Sequence, residues 1–523
     1  MTANQATKEM ALIHEAVSYH ARHTPDAVAL VDGDERISYA DLDAASGVLA
    51  LRLRERGAGP GRLIPVVLPR SAQLVAVLLG ILKCGAAYAA LDVRWPQARV
   101  RALLDLIDPP LVVTHDPLPG ASSPTWAPPA GPPRRPAGTC SDVLPRIDVA
   151  PGDPATVFFT SGTSGRPKAV VSPHRATTRL TPTTALWSGP GRVTAQAAPV
   201  SWDAFSLEVW GTLTAGGTCV VVPSARLLPY TLRALVREAD VSTVFLTTSL
   251  FHLFVEEDLG AFQGLSDVLT GGERLLAGPA RRFLTAYPDL PLTNCYGPVE
   301  SCVFASVHRV TAGDCAAPDG IPLGTAIPGT EIHVLSGNTP VAPGATGEIC
   351  VSGDGLAREY LGAPELSARS FPVVPIGSRP TRIYRTGDLG RTDHRGVLHF
   401  RGRSDRQMKI AGHRVDPEEI EETGRSIPGV RDCVVAAIAD HLGSGTRLAV
   451  FYTVDPAPGP GGRDLRPSAL RSELATLLPA HLVPHVARPV PELPLTANGK
   501  IDHAALRAYL AAPVTTSTVN RNS

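Results

Sequence analysis

Residues 160–168 read TSGTSGRPK and follow directly on the run Thr156–Phe159. A strand that stops in a loop of Gly, Ser and Thr with a single Lys can hold a polyphosphate. Gly162 and Gly165 let the backbone approach closely and take φ > 0. Amides and hydroxyls of Thr160, Ser161, Thr163 and Ser164 can then face phosphate oxygens, and Lys168 adds a compact positive charge. The pattern GxxxxGK[ST] does not fit, because Pro167 precedes the Lys. The competing reading of the loop alone is an ordinary flexible surface turn.

Lysine usage weighs against that reading. The chain has 49 Lys plus Arg, and only Lys8, Lys83, Lys168, Lys409 and Lys500 are Lys. Arg serves nearly every ordinary surface need, so a retained Lys points to work for a point charge on a flexible stem. Lys168, Lys409 (RQMKIAG) and Lys500 (TANGKID) all lie in Gly-containing segments. Lys83 has no chemical role in this reading, and a structural or surface place is expected for it.

A chain of 523 residues is too long for a single core and implies several domains. The formal net charge is zero and no basic stripe occurs, which argues against nucleic acid as a partner. No apolar run approaches a membrane span, and the N-terminus lacks the pattern of a signal peptide. Eight Cys are scattered with no CxxC, which argues against structural zinc and a disulfide framework. The cytoplasm is the simplest setting.

Strand-like and helix-like segments alternate through the first 400 residues, the pattern of layered α/β structure. Ser71–Lys83 reads as a helix; Leu111–Thr114, Val157–Phe159, Cys219–Val222 and Val244–Leu246 read as short buried strands. Residues 116–140 are Pro-rich and predict an exposed, mobile loop without a regular element. After Gly347 the texture changes to GEICVSG, RIYRTGDLG and GVLHFRGR, an antiparallel pattern in which YRTGD reads as a turn carrying one acid. A smaller unit is expected from near Asp405, with helices at Pro417–Arg425, near Leu465–Leu478 and from Asp502. Strands are expected near Cys433–Ala437 and Leu448–Thr453, and PAPGPGGRD (456–464) as a loop. The last residues read as a frayed end.

Further clusters stand beside the Gly-rich loop: NCYGPVE (294–300), GGE (271–273), YRTGDL (384–389), GRSDRQMKIAGHR (402–414), LPAHLVP (478–484) and NGKID (498–502). Each alone is weak. Their order and joint presence, together with ISYADL (37–42), LKCGAAYAALD (82–92) and GEICVSGDGLAREYL (347–361), resemble the adenylate-forming superfamily. The resemblance is to amino-acid adenylation domains of nonribosomal peptide synthesis, and it covers nearly the whole chain. It implies an α/β fold: a large N-terminal domain of layered α/β subdomains plus a β-barrel-like subdomain (1–404), a small mobile α+β C-terminal domain (405–512), and a disordered tail (513–523). It also implies two half-reactions. ATP and a carboxylate give an acyl-adenylate and pyrophosphate; a thiol then takes the acyl group and releases AMP.

Roles carried by the resemblance have physical reasons. The loop from Thr160 to Gly165, with Lys168, would hold the β- and γ-phosphates. Glu300, with Thr163, would ligate Mg²⁺, a hard cation that prefers carboxylate and phosphate oxygens. Tyr296 would stack on adenine near Gly272 and Glu273. Asp388 would take the ribose hydroxyls, with Arg403 assisting. Lys500 would offset charge growing at the transferring phosphorus. Asp405 would be a hinge, after which Lys409 to Gly412 would serve the thiol step, Gly412 leaving room for a pantetheine arm.

Asp203, in SWDA, is expected to pair with a substrate α-ammonium. Acyl- and aryl-CoA ligases have no ammonium to neutralise, so Asp203 separates the amino-acid reading from theirs. The competing structural reading is a helix-capping Asp. The expected pocket is Asp203, Ala204, Leu207, Ser249, Leu269, Gly271, Cys295, Val303 and Phe304, closed by Lys500. Only Asp203 and Lys500 are charged, which favours a small or medium neutral side chain such as that of alanine, valine or leucine. Trp202, Ala169, Ala90 and His503 depart from the family pattern but stand beside the expected chemistry. No carrier-protein segment follows residue 512, so the expected partner is a separate phosphopantetheinyl carrier protein. A CoA ligase on the same scaffold and an idle nucleotide-binding scaffold are the alternatives.

Overall fold

The computed structural model describes residues 10–118, 120, 122–135, 147–161, 167–183, 189–224, 226–439, 446–454, 465–494 and 501–511. Two compact units divide it: Met1–Thr160 with Lys168–Asp405, and Ser161–Pro167 with Arg406–Ser523.

The first unit holds a nine-stranded sheet, parallel in the middle and antiparallel at both edges, and a seven-stranded sheet, mostly parallel with one antiparallel edge. One apolar cluster joins residues of both, such as Leu30 and Cys219 from one and Ile64, Tyr88 and Val113 from the other. Helices Tyr39–Arg54 and Ala72–Lys83 fill the space between. The second of these is apolar on every face because it is covered on every face. Its Ser71 side chain accepts the Leu74 amide (3.1 Å), a cap that fixes where it starts. A Cβ at Gly80 would lie 3.1 Å from the Ser46 carbonyl oxygen, so the two helices pack backbone to backbone there. Lys83 bonds the Asp43 carboxylate and carbonyl at 2.7 Å each, a structural place.

The expected helix and strands are present. They run Ala72–Lys83, Val112–Thr114, Pro154–Thr160, Thr218–Val221 and Thr243–Thr247. Two expectations fail. The Pro-rich segment does contain a regular element: Thr125–Trp126 pairs in parallel with Val112–Val113. Trp126 packs against the main core and carries the Arg56 guanidinium 5.2 Å from its ring, so one aromatic anchors a segment that prolines cannot. YRTGD, read as a turn, lies inside the 14-residue strand Arg379–Thr392. Opposite it, Glu348 and Cys350 pair with Leu389 and Arg385, so extra residues bulge out around Gly387, whose φ is 72°. A β-bulge bends the strand without ending it.

That strand is central to a six-stranded antiparallel sheet with Thr330–Ser336, Thr339–Pro340, Gly347–Gly353, Val373–Ile376 and Leu398–Arg403. It curls toward closure, its end pieces Thr339–Pro340 and Val373–Ile376 being neighbours. This is the expected barrel-like part.

The second unit is α+β. Val430–Ala439 pairs antiparallel with Thr446–Val454, which pairs in parallel with Val486–Pro489. One face buries Ile420, Val435, Tyr452 and Leu470; the other buries Val434, Phe451 and Leu506. Helices run Pro417–Arg425, Pro467–Leu477 and His503–Ala511. The expected loop 456–464 and the expected tail 513–523 lie outside the described residues.

Candidate functional site

Strand Pro154–Thr160 turns back as Lys168–Pro173, and Thr160 stands opposite Lys168 in the antiparallel register. Lys168 is therefore fixed by the returning strand, opposite the strand end from which the Gly-rich stretch leaves. Gly162, Thr163, Ser164 and Gly165 lie outside the described residues. The buried Thr160 hydroxyl has no hydrogen-bond partner among the described residues. Ser161, grouped with the second unit, donates to the Arg414 carbonyl (2.8 Å) and accepts the Asp416 amide (2.9 Å).

Lys168 is buried, and its ammonium lies 5.9 Å from the centre of the Tyr360 ring. The Tyr360 hydroxyl donates to the Glu300 carboxylate at 2.7 Å. Glu300 is fully buried. One tyrosine thus joins the two residues expected at the phosphates and the metal. The motif GEICVSGDGLAREYL contains Tyr360 but assigns it no role, because a lone tyrosine between Glu359 and Leu361 has no distinctive signature.

Glu300 belongs to a single 3₁₀ turn, Val299–Ser301, and the chain then enters an unusual conformation. Cys302 has φ 43° and Val303 has φ 70°. A β-branched residue at positive φ is a genuine outlier, and such strain costs about 1–3 kcal/mol per residue. The strained backbone brings the Val303 amide to the Asp203 carboxylate at 3.1 Å. Asp203 also accepts the Ala204 amide at 3.0 Å. Trp202 occupies the N-cap of the short helix Asp203–Phe205, so Asp203 is not its cap. This helix runs on as a π-helical turn, Ser206–Gly211, a form frequent at functional sites.

Asp203 is half-buried and has no cationic partner among the described residues. Surrounding protein pushes its carboxyl up to about 6, chiefly by desolvation, with the Glu300 charge adding to the rise. Glu208, in the same π-helical turn, is likewise pushed up to about 8 by burial. It takes the Ala197 and Ala198 amides at 2.9 and 2.8 Å and so braces the neighbouring loop.

Five of the expected pocket residues share one apolar cluster: Leu207, Leu269, Cys295, Val303 and Phe304. Ala204 is buried beside Asp203. Phe245, which the sequence did not single out, packs against this cluster with its ring 5.7 Å from that of Phe304. Gly271 ends the strand Asp267–Gly271, where a Cβ would meet the Cys295 carbonyl oxygen at 2.4 Å. Only glycine fits there. Ser249 donates to the Glu273 carboxylate at 2.8 Å, so a negative charge stands one bond behind an uncharged pocket position. Gly272 takes φ 94° and turns the chain between the two.

Tyr296, Asp388, Arg403 and Asp405 form a chain of contacts. The Tyr296 hydroxyl donates to Asp388 at 2.7 Å, and the Arg403 guanidinium pairs with the same carboxylate. Arg403 also holds Asp405 at 2.7 and 2.8 Å. Asp388 is buried, at the bulge that bends its strand. In the second unit, Lys409 stands on the strand Met408–Ile410 and pairs with Arg414 across a hairpin. Ala411 and Gly412 form its tip at φ 50° and 84°, the left-handed pair that tight hairpins need. Lys500 lies outside the described residues.

Residues 17–361 match the family described as AMP-binding enzyme, and residues 419–500 match its C-terminal domain. The chain is 37% identical over 505 residues to a probable non-canonical nonribosomal peptide synthetase, CymA, of Salinispora arenicola; the match takes 95% of this chain and 6% of that protein. It is 34% identical over 522 residues to syringomycin synthase SyrB1 of Pseudomonas syringae, taking 96% of this chain and 83% of that one. Among solved structures, PA1221, an NRPS protein containing adenylation and PCP domains, superposes with a TM-score of 0.83 at 33% identity, over 96% of this chain and 98% of that one. The chain belongs to the AMP-binding enzyme family, the adenylate-forming enzymes expected from its motifs, and has the adenylation-domain fold. It spans less than a tenth of the length of several large synthetases that it matches. Among the described residues, no helix is long and apolar enough to cross a membrane.

Proposed function

We propose that this protein activates an amino acid with ATP as an aminoacyl-adenylate and passes the acyl group to the phosphopantetheine thiol of a carrier protein. The observation that carries this reading is Asp203. It is a recessed carboxylate held by two amides beside an apolar cluster, and burial pushes its carboxyl up to about 6. A substrate ammonium would relieve that burial, because a desolvated carboxylate gains most from a cation. A CoA ligase substrate brings no such cation, so this alternative is not favoured. The apolar lining supports a small or medium neutral side chain, and the Glu273 carboxylate behind Ser249 weighs further against an acidic one. PA1221, which joins adenylation and PCP domains, supports a carrier protein as the acceptor.

In the first half-reaction a carboxylate oxygen of the amino acid bonds to the α-phosphorus of ATP, and the bond to pyrophosphate breaks. The nucleophile is already ionised at neutral pH, so positioning and charge neutralisation suffice. The strand pair closing on Lys168 would hold the leaving phosphates, where the Thr160 hydroxyl, without a partner among the described residues, is a further donor. Glu300 offers a hard oxygen donor for Mg²⁺. With Thr163, it would hold the cation together with phosphate oxygens, the donor set that Mg²⁺ prefers. Asp388, with lone pairs beyond those used by Tyr296 and Arg403, would take the ribose hydroxyls. Lys500 is assigned charge neutralisation at phosphorus, and Lys409 to Gly412 the thiol step. Among the described residues seven cysteines are free and buried, and a reducing setting such as the cytoplasm would keep them so.

Pyrophosphate exchange over a panel of α- and β-amino acids and their des-amino analogues tests the reading. Exchange that depends on a neutral amino acid is expected; exchange with des-amino acids alone would favour the CoA ligase. Lys500→Ala should abolish adenylate formation while sparing thiolation of a supplied adenylate, and full adenylation by that variant would refute its role.

A further inference from the structure

We propose that Arg179 is a positioning residue for recognition of the substrate's amino group, holding Ser301–Phe304 in the conformation that delivers the Val303 amide to Asp203. The inference rests on the reading of Asp203 as the ammonium partner.

Two successive residues at positive φ, neither of them glycine, do not stay there unaided; the surroundings must over-determine them. The local amide bonds are few: Ser301 to the Pro298 carbonyl, Cys302 to that of Val299, Phe304 to that of Cys302, and Ala305 to that of Tyr296. On one side the turn rests on Gly297, where a Cβ would sit 2.3 Å from the Val303 carbonyl oxygen. On the other side stands Arg179, at the C-terminal end of the helix His174–Thr178. Its Nη2 donates to the carbonyl of Ser301, to that of Cys302 (3.2 Å) and to that of Phe304 (2.8 Å). The left-handed backbone turns these three oxygens to one point, and the guanidinium occupies it.

A second, independent feature keeps Arg179 in place. Gly355 has no unusual φ, so its backbone does not call for glycine; its space does. A Cβ there would fall 2.3, 2.5 and 2.6 Å from Nε, Nη2 and Cζ of Arg179.

Arg179 is buried, and its Nε and Nη1 lack a hydrogen-bond partner among the described residues. Such a buried cation is a poor device for stability alone, since a well-packed apolar side chain of similar volume commonly does as well. What it supplies is a fixed convergence of carbonyls, and thereby the direction of one amide. No motif marks it, because Arg is the common cation of this chain.

The test is pyrophosphate exchange by Arg179→Lys and Gly355→Ala in the full chain, with a panel amino acid and its des-amino analogue. Each variant is expected to raise the amino-acid KM about tenfold or more while leaving the ATP KM within about twofold, as misplacement at a distance does. Each should also lower the preference for the amino acid over its analogue by about tenfold, and the double variant should be no worse than Arg179→Lys alone. Should Arg179→Lys fail to fold, Gly355→Ala, which only displaces the guanidinium, decides. A fall shared equally by both acids, or an unchanged preference, would overturn the inference. A wild-type enzyme that treats both acids alike would instead overturn the reading of Asp203, and the inference with it, before any substitution is made.

Discussion

Two carboxylates of the first unit are taken out of water in opposite ways. Asp388 is buried with its counter-charge built in: Arg403 pairs with it and the Tyr296 hydroxyl donates to it. Asp203 is offered only backbone amides, and its carboxyl is pushed up to about 6. The first arrangement is complete before any ligand arrives and suits neutral hydroxyls. The second leaves its charge to be met from outside. On the proposed reading one end takes a nucleotide and the other an amino acid, and the asymmetry suits that division, because a completed ion pair at both ends would reject the ammonium.

Breaking the incomplete end should do the most damage. Asp203→Asn is expected to lower kcat/KM for the amino acid by about 10²–10³, the usual result of removing one partner of a desolvated charge pair. The ATP KM should barely change, and equal losses for both substrates would erase the contrast. Breaking the complete end should act on stability first. Arg403→Met strands the buried Asp388 charge and is expected to cost about 3 kcal/mol in denaturant unfolding, with a higher ATP KM.

Acidity sharpens the comparison. The folded-state value of Asp203 lies above its unfolded value of about 4, so its burial favours the protonated form. The stability this group allows is fully present below about pH 4 and declines as pH rises through about 6, by roughly 2–3 kcal/mol. Asp203→Asn should remove that slope in ligand-free melts. In the same variant comparison, wild-type kcat/KM for the amino acid should climb through about pH 6 as the carboxylate ionises. The smallest effect is expected of Tyr360→Phe, which takes one hydrogen bond from Glu300. About 1 kcal/mol, or fivefold in exchange rate, is expected there, with no change in amino-acid preference.

Much of this was legible in residue types. A Gly, Ser and Thr run after an apolar strand marked a loop there, and one Lys in an Arg-rich chain stands out; that the chain returns as a paired strand starting at that Lys was not readable. Asp203 and the apolar pocket positions were readable as well, and five of those positions do meet in one cluster. What escaped depends on contacts distant in sequence. Val303 in a left-handed conformation contradicts its own propensity, so no local pattern announces it. Arg179 and Gly355 explain each other only in three dimensions. YRTGD carries turn residues, yet pairing on both sides keeps it inside a strand. Trp126 anchors a strand in a Pro-rich stretch through its packing on the core and against Arg56, contacts distant in sequence.

The left-handed step at Cys302 and Val303 also bears on attempts to retarget the pocket. Its course is held by Arg179, Gly297 and Asp203 as well as by the packing of the side chains at 302–304, so an exchange there keeps the backbone ties and changes the packing. At residue 303 the backbone conformation alone would suit Asn or Gly better than valine, but the valine side chain is buried in the apolar cluster, so a retargeting substitution there sets backbone relief against lost packing.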